Sequence, residues 1–398
     1  MRFSTLQKTL SKTLSKTFTK TLTKTFSKTM LKATRLTTSS KLMDATRLIQ
    51  RALATTLPSS TQPVPNRKST SPSVNPTPST PPTAARDFIL VPAKSPDTDR
   101  AATAPSGKAS FTVHQFEFEG NAYPYRLYVP SMPEAATGPA AKMPLVVLLH
   151  GCNQDALDFS HGTAMNRLAE DHHAMVLYPE QVASGNAMRC WNWFDPSHQQ
   201  AGRGEPGMIA ALVQKMAAQH HADPARTYVA GLSAGGAMAA VVANVYPQLF
   251  AAVGVHSGLA AGAAKNMIQA LSAMKKGTKG GNTNAIPTIV FHGTADKTVN
   301  PSNSKYITQA ALAGFEAQGV ALVKNVSVIN SSKNQPTERT QYSNAAGKPL
   351  VESWHITAGP HAWSGGSAQG SYTDPDGPDA SKAMLAFFLQ HSKGEAAR

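Results

Sequence analysis

Two cysteines, Cys152 and Cys190, are all that this chain of 398 residues contains. That number excludes a disulfide-stapled framework and a structural zinc site built on thiolates. It leaves either one bridge or two buried thiols. Missing too is any apolar run approaching the ~20 residues that a membrane-spanning helix needs. The longest runs, 145–149 and 249–255, are strand-length. Acidic residues are scarce, 23 against 38 Lys and Arg, for a net charge of +15. Such an excess first suggests a polyanion ligand, but its distribution argues otherwise. Residues 1–60 hold twelve Lys and Arg against the single Asp44, a local charge of +11, which leaves about +4 for everything after them. The larger part of the chain is therefore nearly neutral, and no specific nucleic-acid binding is expected of it. With 41% apolar and only 15% charged residues, it can bury a sizeable core.

The basic segment is a low-complexity tail, assigned to residues 1–57. Leu10, Leu14, Phe18, Leu22, Phe26 and Met30 recur every four residues, with Lys8 through Lys32 in a second register. On a helix of 3.6 residues per turn that period drifts by about 40° per repeat, so the apolar stripe winds around instead of holding one face. The tail reads as disordered, or as a helix formed only on an anionic surface or granule. Within it, Leu42, Ala45, Leu48, Ile49 and Ala52 do share a face, marking a short amphipathic segment. No continuous apolar core of a signal peptide follows the basic start. Eleven prolines between Pro58 and Pro105, among Ser, Thr and Ala, make residues 58–108 an extended linker.

The folded domain is expected over residues 109–398. Alternating segments at 111–119 and 123–129 flank Gly120-Asn121 and read as a hairpin. Apolar runs at 144–149, 175–178, 226–231, 251–256, 286–292 and 350–356 then alternate with helical patterns at 164–171, 208–219, 234–246, 304–318 and 380–390. Continuously apolar strands alternating with helices imply a mostly parallel, doubly wound sheet covered on both faces.

Gly231-Leu232-Ser233-Ala234-Gly235 fits G-x-S-x-G. By itself the match is weak, since chance yields one in a chain this long with probability about 0.1. Its context adds weight, for Thr227-Tyr228-Val229-Ala230 is a strand signal before it and small residues that suit a helix follow. A strand, a sharp turn and a helix are what a nucleophile elbow requires. A serine hydroxyl needs a base to take its proton and an acid to orient that base. Asp296 follows the strand at 286–292 and His361 follows the strand at 350–356, in the chain order Ser, Asp, His. His150, His256 and His292 read as neighbours of the site. The Ala234 amide and an amide of the 150–153 loop, that of Cys152, are the candidate oxyanion donors. No paired spacing of histidines and acids suggests a metal, and the chemistry needs no cofactor.

These blocks, together with Leu149-His150-Gly151-Cys152, Leu177-Tyr178-Pro179-Glu180-Gln181, Cys190-Trp191-Asn192-Trp193-Phe194, His292-Gly293-Thr294-Ala295-Asp296 and His361-Ala362-Trp363-Ser364-Gly365-Gly366, resemble the poly(3-hydroxybutyrate) depolymerase family of esterases. That family also includes feruloyl and acetylxylan esterases. The resemblance runs from about residue 116 to 389. It implies an α/β-hydrolase fold, a triad of Ser233, Asp296 and His361, and hydrolysis of carboxylic esters. Polyester or a small ester is the implied substrate. It further implies aromatic substrate contacts from Trp191, Trp193 and Trp363, although at least one of these indoles is expected to be core. A disulfide between Cys152 and Cys190, both in blocks bordering the site, would pin the oxyanion loop. Pro360 stands where the family pattern suggests glycine before the histidine. The resemblance implies an extracellular protein, with a cytoplasmic one as the alternative. The alternatives to polyester cleavage are a carbohydrate esterase and, in another class, a binding protein on a hydrolase scaffold tethered by its basic tail.

Overall fold

The computed structural model describes residues 107–131, 142–281, 284–330 and 336–394. The expectations for the tail and for nearly all of the linker fall outside these residues. Ten strands form one sheet. In chain order the first seven are β1 (Ser110–Phe118), β2 (Asn121–Val129), β3 (Met143–Leu149), β4 (Met175–Pro179), β5 (Ala222–Leu232), β6 (Ala252–His256) and β7 (Thr288–Gly293), and β8 (Val323–Asn330), β9 (Pro336–Ser343) and β10 (Pro349–Ile356) follow. Their spatial order is β1-β2-β4-β3-β5-β6-β7-β10-β9-β8. The six from β4 to β10 run parallel, while the hairpins β1-β2 and β8-β9 close the two edges antiparallel.

The apolar runs are continuous because each parallel strand serves two cores. Along β3, Leu145, Val147 and Leu149 enter one cluster, while Val146 and Leu148 enter the other. Val229 on β5 and Val290 on β7 join the first cluster, and Tyr228, Ala230, Ile289 and Phe291 join the second. The first core is covered by α3 (Gly204–Gln219) and α4 (Ala234–Val245), and the second by α1 (Ala156–Thr163), α2 (Met165–Asp171) and α7 (Ala380–Phe388). The side chains alternate across the sheet, as strand geometry requires. This is the doubly wound α/β-hydrolase architecture.

Several elements are not in the sequence reading. Helix α5 (Met267–Lys276) buries Ala270 and Ala273 while Met267, Ile268 and Leu271 are 52%, 74% and 47% exposed, so its apolar period points away from its packed face. Strands β8 and β9 are polar or outward-facing: Val326 and Val328 are exposed, and β9 buries Thr337 and Thr340. The helix expected at 164–171 is α2, and α1 just before it, parted from it at Ala164 with φ of 50°, is an addition. The strand at 350–356 is not the last, because Trp363–Ser364 and Thr373–Asp374 pair as a second, two-residue sheet. The long helix between β7 and β8, α6 (Ser302–Ala317), matches the expected pattern.

Candidate active site

Ser233, Asp296 and His361 all lie just beyond the C-terminal ends of parallel strands, where open α/β sheets form their crevice. Ser233 follows β5 and begins α4 with φ of 57° and ψ of −118°, a backbone conformation that a residue with a side chain rarely adopts. The surroundings hold it there. A Cβ on Gly235 would meet the Leu149 carbonyl oxygen at 2.0 Å, and one on Gly231 would meet the Gly235 backbone at 2.4 Å. The elbow thus needs glycine on both sides of the serine because β3 and the turn press against it.

Ser233 Oγ lies 2.9 Å from His361 Nε2, and His361 Nδ1 lies 2.7 Å from Asp296 Oδ2. A carboxylate accepts, so Nδ1 carries the imidazole proton and Nε2 is left to accept from the serine hydroxyl. Asp296 Oδ1 accepts the Thr298 and Val299 amides, each at 2.8 Å. Burial would raise the Asp296 carboxyl. The hydrogen bonds from His292 and His361, the nearby His361 charge and the Val299 amide outweigh that and hold it well below the usual carboxylate range. The loops bearing Asp296 and His361 are locked together. Ala295 N donates to Gly359 O at 3.0 Å, and a Cβ on Gly293 would strike that same oxygen at 2.1 Å. Pro360 sits in this lock, its carbonyl accepting the Ala362 amide.

The neighbouring histidines serve as internal struts. His150 donates from Nδ1 to Gly151 O at 2.8 Å and accepts the Gln181 amide at Nε2, 3.0 Å away. Burial lowers its pKa to about 4. His256 accepts the Ser364 amide and lies stacked between Phe291 and Trp363, with its pKa pushed well down by burial. Among the described residues, His361 is the histidine that hydrogen-bonds Ser233 Oγ.

In the loop after β3 the Gly151 amide is taken by Gln154 Oε1 at 2.9 Å and the Asn153 amide by Met188 O at 2.7 Å. The Cys152 amide between them has no acceptor among the described residues, nor has that of Ala234. Two unused donors therefore belong to the segments flanking the serine. Cys152 is bonded to Cys190 as a disulfide closing a separation of 38 residues. The Cys190 segment is held in turn by a buried carboxylate that the sequence reading missed. Glu205, at the start of α3, accepts the Asn192 amide at 2.7 Å, the Asn192 side chain at 2.6 Å and the Gln181 side chain, which also reaches Cys190 O. Burial pushes its carboxyl up. Nothing local in the sequence signals it, since a glutamate in a helix's first turn is ordinary.

The tryptophans require a correction. Trp191, Trp193 and Trp363 are 0%, 4% and 1% exposed, and none offers its indole to a substrate from solvent. Trp191 lies tilted against His150 and donates to His150 O at 3.1 Å. Trp193 packs edge-on to Phe194. Trp363 stacks on His256 and donates to Ser381 Oγ at 3.0 Å. Each large ring has a core to fill and, for two of them, a partner for its N–H, so they build the floor beneath the loops.

Residues 123–324 match the family model described as Esterase PHB depolymerase. The chain is 33% identical over 240 residues to a poly(3-hydroxyalkanoate) depolymerase C of Paucimonas lemoignei, covering 56% of each chain. It is 30% identical over 252 residues to a feruloyl esterase B of Neurospora crassa, covering 58% of this chain and 83% of that one. Among solved structures, an acetyl xylan esterase from Aspergillus awamori superimposes with a TM-score of 0.52 at 20% identity, over 70% of this chain and 99% of the other, which speaks for the fold alone. The chain spans little more than half the length of the depolymerase it matches. With half of its residues matched by that model, and with the α/β-hydrolase fold, the chain belongs to the PHB depolymerase family of esterases.

Proposed function

We propose that the protein hydrolyses carboxylic esters through an acyl-enzyme on Ser233. His361 Nε2 takes the hydroxyl proton as Oγ bonds to the ester carbonyl carbon. The carbonyl oxygen becomes an anion held by the Ala234 and Cys152 amides, each donor of this kind being worth about 10²–10³ in rate. Collapse of the tetrahedral species breaks the bond to the alkoxy oxygen, and His361 hands that oxygen its proton. Water then repeats the cycle: His361 takes a proton from it, the hydroxide attacks the acyl carbon, and Ser233 leaves with its proton restored. Asp296 keeps the proton of the neutral imidazole on Nδ1 and stabilises the imidazolium. The observation that carries this reading is the unbroken hydrogen-bonded line from Ser233 through His361 to Asp296.

The substrate we infer is a poly(3-hydroxybutyrate)-type polyester or its oligomers, in keeping with the similarity to a protein named as a polyhydroxyalkanoate depolymerase. A feruloyl or acetyl ester on carbohydrate is the second reading. It is favoured by the 83% of a protein named feruloyl esterase that this chain spans. The disulfide suits an oxidising compartment. The test is product release from 3-hydroxybutyrate trimer and from feruloylated and acetylated xylo-oligosaccharides, at equal enzyme concentration. Faster release of 3-hydroxybutyrate supports the polyester reading; preferential release of ferulate or acetate overturns it.

A further inference from the structure

Asp296 has a second imidazole that the mechanism above does not use. His292 is the fifth residue of β7, in register with His355 of β10, so the ladder fixes its backbone. Its Nε2 lies 2.9 Å from Val299 O and 3.2 Å from Asp296 Oδ2. The carbonyl can only accept, so Nε2 carries the proton and donates it to Val299 O, with Asp296 Oδ2 beside that acceptor and within reach of the same N–H. Nδ1 is fully buried and has no hydrogen-bond partner among the described residues. A buried ring held for packing alone would have no need of that unsatisfied nitrogen, and such an orphan costs ~1–3 kcal/mol. The single contact pair on Nε2 is what the ring provides. It completes the Asp296 shell: two amides on Oδ1, and His361 and His292 on Oδ2.

We propose that His292 is a positioning residue for the candidate triad, donating from Nε2 to Asp296 Oδ2 so that the carboxylate meets His361 in one fixed orientation. The inference rests on the reading of Ser233, His361 and Asp296 as the triad. With the Nε2–H in place, the Oδ2 edge cannot swing about the Oδ1 anchor. Without it, that edge is held by His361 alone, the group it is meant to orient. The donor also draws negative charge from Oδ2. Its removal leaves more of that charge on the His361 imidazolium, which favours the protonated base. The other titratable groups facing His292 are His256 on β6, His355 on β10 with Glu338 of β9 beside it, and His361.

The test compares wild type with His292→Phe, which keeps a ring and removes the donor, and with His292→Gln, whose amide can reach the Nε2 position. Folding of each is checked by melting, and hydrolysis of a short p-nitrophenyl ester is followed from pH 5 to 9. The expected result for folded His292→Phe is a fall in kcat of about 10- to 100-fold, the order that loss of catalytic alignment costs, with KM within about twofold. The acid limb of kcat/KM moves to higher pH, and His292→Gln recovers most of the rate. In an Asp296→Asn background His292→Phe should cost nothing further, because the two act as one unit. A folded His292→Phe with wild-type kcat and an unmoved acid limb overturns the proposal, as does a loss that adds in full to Asp296→Asn. If Asp296→Asn is itself as active as wild type, the triad reading fails instead, which separates the two.

Discussion

Removing the Cys152–Cys190 bond should cost stability far more than rate. The bond closes a loop of 38 residues, and the chain-entropy relation gives about 4 kcal/mol for a loop of that size at 25 °C. A domain of roughly 290 residues melts with an entropy of about 0.6 kcal/mol/K, so the loss corresponds to a fall in Tm of about 6 °C. The rate is protected by bonds that do not depend on sulfur. The amides on either side of Cys152 are held by Gln154 Oε1 and Met188 O, and His150 and Trp191 tie the two loops together. The Cys152 amide should therefore stay aimed, and the ~10²–10³ that loss of an oxyanion donor costs should not appear. For the double variant Cys152→Ala/Cys190→Ala we expect kcat within about tenfold of wild type at 25 °C, well below the melting transition. The assays are scanning calorimetry and ester hydrolysis, with thiol titration of the denatured wild-type protein to count free cysteines. A loss of several hundredfold in a variant that is still folded would refute the reasoning, because the disulfide would then be what orders the oxyanion loop. An unchanged Tm would refute it from the other side.

Two further outcomes follow from the buried groups. His150 is held neutral with its pKa lowered to about 4, against about 6.5 when unfolded. Between these values the unfolded chain binds the extra proton and the native one does not, so stability is intact above pH 6.5 and falls as pH drops toward 4, by about 3 kcal/mol in all. His256 and Asp296 are shifted in the sense that adds to this loss. Urea denaturation midpoints across pH 4–7 measure it, and a flat profile would contradict the assignment of a buried neutral His150. Trp191→Phe, which loses the bond to His150 O and leaves a void, should lower stability by about 1–3 kcal/mol and leave KM unchanged. A raised KM with an unchanged Tm would return that indole to the substrate.

Much of this architecture is legible in the sequence where burial is two-sided. Leu145 to Leu149 read as a strand because every position faces a core, and the same holds for β4, β6, β7 and the stretch of β5 from Thr227 to Leu232. Legibility fails where packing is decoupled from hydropathy. Helix α5 packs through alanines and shows its large side chains to solvent, while β9 buries threonines. At the site, the order of Ser233, Asp296 and His361 and their placement after strands could be read because chemistry constrains them to strand ends. The places of the tryptophans could not: an indole in a block beside the serine reads alike whether it points up to substrate or down into the floor. Glu205 could not be read, and His292 could be read only as a neighbour of the site, since their roles come from residues brought near them by the fold.

The central claim is that Ser233 performs the chemistry. Its most direct test is hydrolysis of short p-nitrophenyl esters by wild type and by Ser233→Ala, with matched melting curves. Removing the nucleophile of a Ser-His-Asp triad should lower the rate by ~10⁴-fold or more. Equal activity in the two proteins would contradict the account, because another residue would then be attacking the ester.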